Sequence, residues 1–191
     1  MERAIFITWR LHGSLPSNRV FPPETTAGEA FEAMDSILDR ATGGPFYLSR
    51  PEIASMIVDA IRHGQDQMLY YHLHAYVVMA NHVHFLITPL VEVARITHSI
   101  KRFTARAANR LLGSTGQSFW QDESYDHLVR DQSEFERIVR YVENNPVKAG
   151  LVGEPEEFLW SSARGRLKII ENRPAGCNPA PQVASTVSYI Q

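Results

Sequence analysis

Residues 75–89 read AYVVMANHVHFLITP, two runs of β-branched and aromatic residues on either side of Ala80-Asn81. That composition around a two-residue break predicts an antiparallel hairpin, with strands over 68–79 and 82–88. Side chains alternate faces along a strand. In the second strand Val83, Phe85 and Ile87 therefore share one face, which is apolar and belongs in a core. His82, His84 and Leu86 share the other, and the strand rise sets the two histidine α-carbons about 6.6 Å apart. Two imidazoles at that separation can close on one divalent ion. In the first strand the same alternation groups Leu73, Ala75, Val77 and Met79 against Tyr70, His72, His74 and Tyr76. A His-x-His pair is common on strand surfaces, and His72 with His74 makes a second one, so the later pair needs support from elsewhere in the chain.

Working outward, residues 4–11 (AIFITWRL) read as an earlier strand, followed by a loop with Gly13, Pro16, Pro22 and Pro23. A helix over 26–41 carries Phe31, Met34, Ile37 and Leu38 at helical spacing and is stopped by Gly43 and Gly44. A second helix begins near Ser49 with Pro51 in its first turn, and it aligns Ile53, Met56, Ile57, Ala60 and Ile61. After the hairpin, a helix of about 90–112 ends at Gly113 and places Arg102, Arg106 and Arg110 four apart, in one stripe. Residues 124–130 (SYDHLVR) read as a further strand. The last helix opens at Ser133 with S-E-F-E, a capping box in which Glu136 reaches back to the Ser133 amide. Pro146 is expected to end it near Asn145. Helices interspersed with an antiparallel hairpin give an α+β domain, helices on a small antiparallel sheet. Residues 172–191, with three prolines and little apolar periodicity, read as a tail.

A chain of 191 residues can bury a core of its own. It has no apolar run of bilayer-spanning length and its start, MERAIFITWR, has no signal-peptide layout. Cys177 is the single cysteine, which excludes an intrachain disulfide and a cysteine-rich metal site and fits a reducing cytoplasm. The net charge of −2 does not advertise a nucleic-acid binder. Its distribution does, because Val93 to Gln121 holds five Lys and Arg residues and no acid. A solvated helix face is the plainer reading of such a run.

Downstream of the histidines, FERIVRYVENNPVKAGLV begins at Phe135. Phe135, Ile138, Val139 and Val142 supply an apolar stripe, while Tyr141 and Asn145, one turn apart, lie about 6 Å from each other along one side. Taken singly, Tyr141 reads as packing and Asn145 as a helix stop. Together with N-H-V-H-F and F-W-Q-D-E-S-Y-D-H, the ordered motif Y-V-E-N-N-P-V-K-A-G-L-V resembles the REP-associated tyrosine transposases, a branch of the single-tyrosine HUH transposases. The resemblance runs over roughly residues 4–165, including T-W-R-L-H-G-S, F-T-A-R-A-A-N-R-L-L-G and F-L-W-S-S. It constrains the stretch before Ser49 least.

The resemblance implies a ferredoxin-like sheet; with the tail read from its composition, the expected organisation is a single domain over 1–170 and a flexible tail at 171–191. It implies that His82 and His84 are metal ligands, that Asn145 is a third, amide ligand, and that Tyr141 is the nucleophile. The tyrosine helix would then cover the histidine face. The implied substrate is single-stranded or hairpin DNA from repeated palindromic elements, cleaved through a 5′-phosphotyrosine. Two imidazoles and an amide suit zinc as well as harder ions, and the resemblance favours Mg2+ or Mn2+. Arg102, Arg106 and Arg110 are candidates for DNA backbone contacts and Lys148 for the neighbourhood of the scissile phosphate, though a lysine there also reads as solvent-facing. His127 and Tyr125 are candidates to line the site, with packing the plainer reading of Tyr125. Rival readings are a domesticated module that binds nucleic acid without cutting and a metal phosphodiesterase that uses water. Monomer and homodimer both remain open.

Overall fold

The computed structural model describes residues 3–15, 27–40 and 43–164. The prolines of the first loop, Cys177 and the expected tail lie outside them. Four strands, β1 (Ile5–Arg10), β2 (Tyr71–Val78), β3 (His82–Pro89) and β4 (Tyr125–Leu128), pair antiparallel in the order β2-β3-β1-β4. Four helices accompany them: α1 (Ala27–Asp39), α2 (Pro51–Asp66), α3 (Val93–Leu112) and α4 (Gln132–Lys148). The order is that of a ferredoxin-like α+β domain, as expected. No helix among the described residues is long and apolar enough to cross a membrane.

Both faces of the sheet are covered. On one, Ile5, Ile7 and Trp9 of β1 and Val83, Phe85 and Ile87 of β3 pack with α2 and α3 through Ile53, Ile57, Ile61, Ile96 and Ile100. On the other, Phe6, Leu86, Ala75 and Val77 meet Ile138 and Val142 of α4. Strand alternation assigns β1 and β3 correctly, but β2 departs from it. The β2–β3 register shifts between Leu73 and Ala75, so the expected grouping of Leu73 with Ala75, Val77 and Met79 is corrected. Leu73 packs with the α2/α3 core, while Ala75, Val77 and Met79 lie on the α4 side and Tyr76 lies in the α2/α3 core. One extra residue at a bulge reverses the faces of everything beyond it.

Two helix ends also differ from expectation. α4 is capped by Asp131, whose carboxylate accepts the Glu134 amide at 2.8 Å, rather than by Ser133. Glu136 accordingly accepts from the Gln132 side chain. The helix also runs through Pro146 to Lys148. A proline there forfeits its own N–H to Val142 O, and the last turn is still closed by Ala149 N–H to Asn145 O at 2.9 Å. By contrast, α3 stops at Gly113, at φ +66°, where glycine avoids the left-handed penalty of other residues.

Candidate active site

β3 brings His82 and His84 to the α4 face, where they are 1% and 0% exposed. Each ring is fixed through its far nitrogen. Asn81 donates its amide N–H to Leu38 O at 3.0 Å, which leaves its Oδ1 to accept from His82 Nδ1 at 2.7 Å. His82 is thus the tautomer whose Nε2 keeps a free lone pair. Thr8 Oγ1 lies 2.8 Å from His84 Nδ1 and fixes that ring similarly. The two Nε2 atoms face each other at 3.1 Å. Burial, and then the neighbouring His84, push the His82 pKa down to about 3, so this imidazole is neutral and ready to ligate.

α4 supplies the next two groups from one side, as their four-residue spacing requires. Asn145 Nδ2 lies 3.2 Å from His84 Nε2, while its Oδ1 is buried without a partner. A half-turn of that amide would exchange the two atoms and present an oxygen to the histidines. The Tyr141 ring stands 5.5 Å from the His84 ring and edge-on to Phe6.

The sequence did not single out Asp35. From α1 this residue, 1% exposed, places Oδ1 3.1 Å from His84 Nε2 and 3.5 Å from His82 Nε2. Its other oxygen accepts the Tyr141 hydroxyl and lies 3.5 Å from Asn145 Nδ2. Asp39, one turn on, comes within 3.8 Å of His82 Nε2. Burial alone would raise the Asp35 pKa, but the adjacent imidazoles and the Tyr141 hydrogen bond hold it below the usual carboxylate range. Asp39 is pushed up to about 6 by burial and by Asp35. The sequence offers little to mark it, because Asp35 is one of four acids on α1, with Glu29, Glu32 and Asp39, a pattern that solvated helices share.

This donor set fits a divalent cation. The two histidine Nε2 atoms lie 3.1 Å apart with Asp35 Oδ1 within 3.5 Å of both, and Asp35 Oδ1 and both Asp39 oxygens are buried without hydrogen bonds. Burying that much negative and lone-pair density without a positive partner is costly. Asp35, His82 and His84 are the group of three acidic or histidine residues that could share one ion among the described residues.

The remaining candidates separate. Lys148 places its ammonium 5.4 Å from the centre of the Tyr141 ring, beside the pocket. Tyr125 pairs with Thr8 and packs on the same face as the histidines, next to Phe6. His127 lies 3.2 Å from Glu134, in a cluster with Arg130 and Arg137 at the start of α4. Arg102, Arg106 and Arg110 line a groove of about 820 Å³ along α3 with Arg95, His98 and Phe103. Because α3 covers the other face, this groove and the histidine pocket have the sheet between them.

Residues 51–145 match the family described as IS200-like transposase, a span that includes His82, His84, Tyr141 and Asn145. The chain belongs to that family. The structure of a REP-associated tyrosine transposase bound to a REP hairpin is similar to this IS200-like chain, with a TM-score of 0.57 and 14% identity over 100% of this chain and 94% of that one. The likeness agrees with the fold described above. A crystal structure from Deinococcus radiodurans R1 designated a transposase aligns with a TM-score of 0.44 and 17% identity, over 74% of this chain and 89% of that one. No curated protein matches the chain.

Proposed function

We propose that this member of the IS200-like transposase family is a metal-dependent endonuclease and strand transferase acting on single-stranded or hairpin DNA in the cytoplasm, through a 5′-phosphotyrosine. The observation that carries the reading is the convergence of Tyr141, Asn145, His82 and His84 in one buried pocket. Mg2+ or Mn2+ held by His82, His84 and Asn145 would supply Lewis acidity at the scissile phosphate and offset the charge that accumulates there. Tyr141 Oη forms its bond to phosphorus as the bond to O3′ breaks, leaving a free 3′-hydroxyl. The energy of the phosphodiester is kept in the phosphotyrosine, so a later strand transfer needs no activated cofactor.

A phenol is a weak nucleophile at neutral pH, and rigid placement offsets much of that. α4 and the rings of Phe6 and His84 hold Tyr141, so the DNA must bend to it, which a single strand does readily. Lys148 offers a positive charge beside the phosphate. Arg102, Arg106 and Arg110, across the sheet, would grip DNA away from the cut, as a hairpin stem requires. The fold neighbour that holds a REP hairpin supports a palindromic repeat as the substrate class.

The test is a labelled single-stranded hairpin incubated with Mn2+ or Mg2+. A protein–DNA adduct that survives denaturation is expected, with loss of the adduct in Tyr141→Phe and in His82→Ala. Cleavage that persists in Tyr141→Phe would point to water as the nucleophile. Binding without any cleavage would make the chain a non-cutting module.

A further inference from the structure

Asp35 lies outside the span that matches the family and in the helix that the sequence motifs constrained least. It nevertheless stands at the centre of the pocket, with its two oxygens turned to different partners. Oδ1 faces both histidine Nε2 atoms, at 3.1 and 3.5 Å, and has no hydrogen bond. Oδ2 accepts the Tyr141 hydroxyl. Asp35 Oδ1 and the two Nε2 atoms are close enough together to share one cation, and a cation between them would offset the cost of burying the carboxylate. The same side chain therefore faces the place for the ion and the nucleophile at once.

We propose that Asp35 is a catalytic residue: one carboxylate oxygen completes the ion site with His82, His84 and Asn145, and the other holds the Tyr141 hydroxyl. A single side chain then couples the presence of the ion to the position of the nucleophile. A carboxylate in the set also adds a hard oxygen, which moves the site toward Mg2+ and Mn2+ and away from a soft-ligand zinc centre. A hydrogen bond holds α1 in reach, since the side-chain amide of Asn81, next to His82, donates to Leu38 O one turn beyond Asp35.

The proposal rests on the tyrosine-nuclease reading, but it is tested without DNA, so the two can fail separately. Mn2+ is titrated by electron paramagnetic resonance into the full chain and into Asp35→Asn. In parallel, fluorotyrosine-labelled protein is followed by 19F NMR as Mg2+ is added, with the Tyr141 signal assigned by its loss in Tyr141→Phe. Asp35→Asn is expected to weaken Mn2+ binding about tenfold or more and to abolish the ion-dependent shift of the Tyr141 signal. Wild-type affinity, or a Tyr141 signal that still follows the ion, overturns the proposal. So does a gain of DNA adduct in Asp35→Asn, which would make the carboxylate an obstacle in the phosphate's place. If Asp35→Asn does not fold, Asp35→Glu is read by the same two measurements. A longer arm that leaves both at wild-type values overturns the proposal, and a shift in either supports it.

Discussion

His84 has both ring nitrogens committed, Nδ1 to Thr8 and Nε2 to the pocket, so its usefulness as a ligand depends on a residue of a different strand. Thr8→Val keeps the shape and removes the hydroxyl. Metal affinity is expected to fall about tenfold with little change in melting temperature, and an Mn2+ titration checks this; unchanged affinity would remove Thr8 from the site. Glu134 is a separate case of a residue fixed by its partners. Hydrogen bonds from Arg130, against the cost of burial, bring its pKa down to about 2. A depressed carboxylate pKa stabilises the fold above the unfolded value, and that stability is lost as pH falls through the folded one. Because Arg130 and Arg137 are 72% and 63% exposed, solvent screens the cluster, and Glu134→Gln should cost only about 1 kcal/mol near pH 7. The gap from wild type should close between pH 4.5 and 2, as followed by urea melts across that range. At this scale the sequence is uneven. Strand alternation puts His82 and His84 on one side, while Tyr141 and Asn145, one helical turn apart, stand out only through the motif resemblance. Asp35 could not be found, because its partners lie 47, 49, 106 and 110 residues away and its burial depends on how α1 docks.

Among the elements, the errors share a cause: a local rule was overruled by what lies across from it. Strict alternation would keep Leu73 and Ala75 of β2 on one face, but the register shifts between them, because a bulge is set by pairing with β3 rather than by β2 alone. The end of α4 was placed at Asn145 by the general cost of proline, yet Pro146 is buried and the helix continues to Lys148. Asn145 is thus held inside a helix rather than at a loose end, which fixes its amide against His84. Glycines test the same elements. Gly64 of α2 lies against the Tyr71 ring of β2, where a Cβ would collide, and Tyr71 donates its hydroxyl to Ile61 O at 2.5 Å. Gly64→Ala is expected to destabilise by about 1–3 kcal/mol, seen as a lower urea midpoint with an unchanged slope. Gly113→Ala, at a left-handed helix end, should cost about 1 kcal/mol and leave Mn2+ binding alone, because α3 does not reach the pocket.

In the whole molecule, the hairpin and the apolar face of β3 made an α+β domain with an antiparallel sheet legible, while the ferredoxin-like sheet and the helix over the histidine face were legible only through the motif resemblance. The distance between the arginine stripe and the histidines was not, since the sequence gives helix faces but not the layer on which each helix lands. That layering makes the last prediction specific. Replacing Arg102, Arg106 and Arg110 with Gln should weaken hairpin binding and reduce the salt slope of log K by about 2–3, while Mn2+ affinity stays at its wild-type value. Fluorescence anisotropy over a salt series measures the first and the paramagnetic titration the second; loss of metal binding in that variant would contradict the layering. The same wall has an evolutionary reading. Under the proposed function, grip and scission would occupy opposite sides of one sheet, so heredity could alter them independently. A tyrosine codon becomes a phenylalanine codon by one base change, and at position 141 that change would disarm the chain while leaving its hold on DNA intact. Under that reading, a single mutation would separate a cutting enzyme from a quiet DNA-binding protein.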